Sequence, residues 1–113
     1  MPRYLISFPS PAMVVRDDEW GDVSDAAHAV IDEMRSAGVY ITSGGLRDDV
    51  EPTRVAGDGS LSDELYPQTR DLSGGMAIIE VPTREEAHAW AAKLAVACRC
   101  PQEVREFQFY PLA

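Results

Sequence analysis

The fold class the sequence predicts is α+β: an antiparallel four-stranded sheet with two helices on one face. Three observations predict it. Two segments with helical periodicity each stand between β-rich runs, so the order β-α-β occurs twice. The two helical segments echo each other, with Ala27-His28-Ala29 and Ala87-His88-Ala89 at the same place in each apolar stripe. The chain has 113 residues, 45% of them hydrophobic and 26% charged, which suits one compact core. A doubled β-α-β in so short a chain fits the ferredoxin-like plan. One domain is expected over 1–113.

Taken in order, the run from Arg3 to Phe8 has strand composition, with Tyr4, Ile6 and Phe8 on one side and Leu5 and Ser7 on the other. Pro9 and Pro11 stop it, because proline donates no ladder hydrogen bond. Ser24 to Ala37 reads as a helix: Ala27, Val30, Ile31 and Met34 fall at i, i+3, i+4 and i+7 and draw one apolar stripe. Asp22 or Ser24 is the expected cap and Gly38 the expected left-handed stop. Val39 to Ser43 supplies β-branched and aromatic residues for a second strand, which ends at Gly44 and Gly45.

From Arg47 to Ser73 the composition shifts toward Asp, Gly, Pro and Ser, and periodicity fades. A small hairpin is expected inside this stretch, turning at Asp58-Gly59. We read 47–73 as an excursion from the domain, of the kind that serves as a lid or a partner-binding arm. Beyond it, Met76 to Val81 is a buried strand, Thr83 to about Ala97 a helix, and Glu103 to Phe109 a last strand. Thr83 and Glu86 form a capping box, and Ala87, Trp90, Ala91, Leu94 and Cys98 share a stripe.

Charge and motifs narrow the function. A formal net charge of -9 repels phosphate backbones and anionic lipid, so neither nucleic acid nor a membrane is an expected partner. No apolar run approaches the length of a membrane helix and the start lacks an apolar h-region, so a cytoplasmic location is expected. Cys98 and Cys100 are spaced too closely for an unstrained disulfide, and no set of ligands has zinc-site spacing. No metal and no cofactor are expected. The common nucleophile-elbow, dinucleotide, phosphate-loop and zincin motifs do not occur.

The stretch Asp63 to Gly75 resembles, without a gap, the segment that names the YCII-related or DGPF family of small bacterial proteins. Asp63, Thr69, Gly74 and Gly75 fit its wording, Tyr66, Arg70 and Asp71 are chemically similar, and Glu64-Leu65 stands where the family has Gly-Pro. The likeness covers most of the chain. It implies a dimeric α+β barrel, in which the sheets of two copies face each other. An apolar sheet face built from residues such as Leu5, Tyr40, Ile78, Phe107 and Phe109 also calls for a second copy to cover it.

Candidate site residues follow from both sources. Asp63 is read as an Asx-type turn or as a general base. Tyr66 either packs or polarises a substrate carbonyl, and Arg70 either pairs with a neighbouring acid or holds a carboxylate ligand. Ser43 and the backbone at Gly44 lie where a cleft between sheet and excursion is expected. The resemblance adds His28, since some members are thought to shuttle protons with a His and an Asp; counted back from Gly38, His28 is one residue out of that register. The expected function is small-molecule binding in a cleft beside 47–73, with metal-free acid/base chemistry by Asp63 and His28. The alternative is a non-catalytic regulatory or protein-interaction module, since the family is often associated with sigma factors.

Overall fold

The computed structural model describes residues 1–109; the last four of the expected 1–113 domain lie outside the described residues. In chain order the elements are β1 (Arg3–Phe8), α1 (Trp20–Ser36), β2 (Tyr40–Gly45), β3 (Arg54–Val55), β4 (Leu61–Ser62), β5 (Gly75–Glu80), α2 (Arg84–Cys98) and β6 (Glu103–Glu106). Strands β2, β5, β1 and β6 form one sheet in that order, every neighbouring pair antiparallel. Strands β3 and β4 form a separate hairpin. The fold is therefore α+β with two helices on a four-stranded antiparallel sheet, consistent with the ferredoxin-like plan.

Alternation along the two central strands decides which side is sealed. Tyr4, Ile6, Ala77 and Ile79 are buried against Val30, Ile31 and Met34 of α1 and Ala87, Ala91 and Leu94 of α2. Met34 is fully buried, and truncating it to alanine would cost about 2–5 kcal/mol in lost contacts and cavity. The opposite face carries Leu5, Met76 and Ile78, each only partly covered.

Several boundaries differ from the sequence reading, each for a local reason. Helix α1 begins at Trp20, ahead of Asp22 and Ser24, and neither serves as its cap. A 3-10 turn at Asp17–Glu19 starts the helix early. The Glu19 carboxylate anchors that turn, accepting from the Arg16 amide (3.1 Å) and from the Arg99 guanidinium (2.7 Å). Those bonds, the Arg99 guanidinium first, hold the Glu19 carboxyl below the usual range. The last strand ends at Glu106, leaving Phe107 and Phe109 exposed beyond it. Tyr40 does not join the open face. It pairs with Ile79 and packs on the core, because a bulge at Ile41 separates it from Thr42, the partner of Ile78.

The excursion forms an arm whose hairpin turns at Asp58-Gly59, as expected, with Gly59 at φ +88°. Among the described residues, the hydrogen bonds tying it to the body lie at its base: Leu46 N–H to Gly74 O (2.8 Å) and Ser10 N–H to Ser73 Oγ (3.1 Å). The radius of gyration, 15.8 Å, exceeds the roughly 13 Å of a compact domain this long, as a projecting arm requires.

Gly74, at φ +83°, returns the arm to β5 so tightly that a Cβ there would lie 2.0 Å from the Phe8 carbonyl oxygen. Both the backbone conformation and the space demand glycine. Gly44 has open space around the same position and an ordinary φ. Gly74→Ala is therefore expected to cost at least about 3 kcal/mol in thermal or urea unfolding. Gly44→Ala should stay within about 1 kcal/mol of the parent. Equal effects would contradict the packing described.

Candidate functional site

The strand registers arrange helix-facing side chains in rows across the sheet. The first row, Tyr40, Ile79 and Tyr4, is bulky; the second, Ser43, Ala77, Ile6 and Val104, is smaller; the third is Gly45, Gly75 and Phe8. At the Gly75 end of the sheet β2 and β5 therefore offer the helices no side chain. A cavity of about 260 Å³ results, partly open to solvent and mostly apolar in its wall. Ala27 and Ile31 of α1 and Leu94 and Cys98 of α2 form its helical side.

His28, Ser43 and Gly44 line this cavity together. His28 is exposed on α1, and its Nδ1 lies 3.4 Å from the Ser24 hydroxyl, one helical turn earlier. That contact leaves Nε2 without a protein partner among the described residues. The Ser43 hydroxyl shares a 2.8 Å hydrogen bond with the Tyr40 phenol. The two are three residues apart, a spacing that points to opposite faces in a regular strand; the bulge at Ile41 brings them to one side. The Arg35 guanidinium covers the Tyr40 ring at 4.7 Å, holding the phenol in place.

Asp63, Tyr66 and Arg70 do not line the cavity; all three are exposed on the arm. Beside Asp63, the turn is closed by Ser62, whose hydroxyl accepts from the Glu64 amide at 3.0 Å. The Tyr66 ring stacks on the Arg54 guanidinium at 4.8 Å, and Arg54 also donates to the Glu64 carbonyl (3.2 Å). Arg70 makes no ion pair among the described residues. Nor do any three His, Cys, Asp or Glu side chains among them gather as a set able to hold a metal ion.

Gln102 and Cys98 line the cavity although neither is among the site residues expected from the sequence. Gln102 follows α2 in a short connection, and its amide nitrogen donates to the Cys100 carbonyl at 3.2 Å. Nothing in its neighbours marks it out. Cys98 was assigned to the apolar stripe of α2, and the same stripe carries it to the cavity wall. Burial pushes the Cys98 thiol above its usual range, with the nearby Cys100 adding to the effect, so the thiolate is scarce at neutral pH. Alkylation of Cys98 by iodoacetamide at neutral pH is expected to run at least about tenfold slower in the folded chain than in urea, and to climb as pH passes the ordinary thiol range. Equal rates in both states would contradict a buried, protonated thiol.

No curated protein matches the chain in a sequence comparison. The family model described as the YCII-related domain matches residues 4–106, from the first core residue of β1 to the end of β6. With the sheet order, both helices and the arm all inside that match, the chain belongs to the YCII-related domain family.

Proposed function

We propose that the protein binds a small molecule in the cavity between the sheet and its two helices. One observation carries this reading: His28, Ser43 and Gln102 converge on an apolar hollow that the glycine row leaves unfilled. An apolar pocket with a few convergent polar groups is the usual form of a small-molecule site. His28 is the group placed to exchange a proton with a bound compound through Nε2, without a metal. The arm departs from the cavity rim, since Gly45 and Gly75 face each other at its base.

The same reading includes a homodimer of the α+β barrel type. The uncovered sheet face presents Leu5, Met76 and Ile78 at its centre, and its charges are already matched: Arg3 with Glu80 (3.0 Å) and Arg105 with Glu103 (3.3 Å). In a chain of net charge -9, two such faces can approach without repelling each other. A reducing, cytoplasmic setting suits the free Cys98 and Cys100. A second reading, a non-catalytic interaction module, draws support from Val50, Val55, Leu61, Tyr66 and Leu72, all exposed on the arm.

A thermal-shift screen against a broad metabolite panel separates the two. Ligand binding predicts a compound that raises the melting temperature of the native chain and of Asp63→Ala, with the rise lost or strongly reduced in His28→Ala and Ser43→Ala. A rise abolished by Asp63→Ala and kept by the cavity variants would move the site to the arm. No rise with any compound would favour the module.

A further inference from the structure

We infer that the ligand of this cavity is an uncharged molecule about the size of one substituted ring, held at two corners by hydrogen bonds. The inference rests on the cavity being a ligand site and narrows what that site accepts.

Size comes first. A dry cavity of about 150 Å³ holds benzene, and pockets for drug-sized ligands begin at about 300 Å³. At about 260 Å³ the present cavity lies between them and admits a single ring with one or two substituents.

Charge is decided by the lining. It contains no Asp, Glu, Lys or Arg, so an ammonium or carboxylate group would lose its water without gaining a counter-charge. His28 is the one cavity residue able to carry a positive charge, and it sits at the exposed margin. The net charge of -9 further disfavours anions. Polarity is confined to two corners. On β2, the Ser43 hydroxyl spends one of its hydrogen-bonding positions on Tyr40 and keeps the others. After α2, the Gln102 amide nitrogen is tied to Cys100, and its carbonyl oxygen has no partner among the described residues. Between the corners run Ile6, Ile31 and Leu94, a wall that suits a ring face.

The test compares benzyl alcohol, benzoate and benzylammonium, three compounds alike in shape and different in charge, by calorimetry or ligand-observed magnetic resonance at neutral pH. Benzyl alcohol is expected to bind at least about tenfold more tightly than either ion. Two variants locate the binding: Ala27→Phe, which fills the cavity from α1 and should abolish it, and Gln102→Ala, outside both helices, which should weaken it about fivefold. Should Ala27→Phe fail to fold by circular dichroism, Gln102→Ala carries the localisation. An ion that binds as tightly as the alcohol, with the same sensitivity to the variants, overturns the inference and leaves the cavity as a ligand site. Binding indifferent to both variants also overturns it. If none of the three binds while a panel compound still stabilises the chain in a His28- and Ser43-dependent way, the inference falls alone; without that stabilisation, the cavity reading falls with it.

Discussion

The constraint on which the structure depends is the antiparallel pairing of β1 with β5, in register from Arg3↔Glu80 to Phe8↔Gly75. Because side chains alternate, that register sends Tyr4, Ile6, Ala77 and Ile79 to the helices and Leu5, Ile78 and Met76 to the other side. Two helices cover only one face. A one-residue slip would exchange the two sets and place Arg3 and Glu80 in the core, so burial enforces the pairing. The uncovered face and the cavity are then two consequences of one arrangement, on opposite sides of the sheet.

The cavity owes its place to what the strands lack. Gly45 and Gly75 contribute no side chain at this end of the sheet, and Gly74 must take a left-handed turn against the Phe8 carbonyl to start β5 there. The arm begins and ends at this glycine-rich corner. Its own hydrogen bonds, such as Ser60 N–H and Oγ–H to the Asp58 carboxylate, keep the hairpin shaped without support from the body. The cavity and the base of the arm are therefore neighbours in space, although Asp63, Tyr66 and Arg70 stand away from the cavity.

Much of this was legible from local pattern. The α2 cap is set by Thr83, whose hydroxyl accepts from the Glu86 amide three residues on (3.2 Å), and Gly38 closes α1 at φ +74°; both signals lie within one helical turn. Features set by distant contacts were not legible. The start of α1 depends on Glu19 meeting Arg99, 80 residues away in sequence. The bulge at Ile41 leaves no mark in composition, yet it turns Tyr40 inward and joins it to Ser43. The last strand stops at Glu106, opposite Tyr4 near the start of its partner β1, which no reading of Glu103 to Phe109 alone discloses. Of the candidate site, Ser43 and Gly44 could be placed near the sheet end from the order of elements, whereas His28 was suggested by the family resemblance alone. Gln102 could not be placed, since its position at the cavity comes from where α2 stops.

The sheet has one face sealed by helices and one left uncovered, and the homodimer proposed above rests on the uncovered one. The most direct test is the mass in solution by light scattering coupled to size exclusion, for the native chain and for Ile78→Asp, which puts a charge on the open face without touching the core. A homodimer joined through that face has a native mass near twice the 12.4 kDa of the chain, falling to 12.4 kDa in the folded variant. A native chain at 12.4 kDa, unchanged by Ile78→Asp, would contradict it.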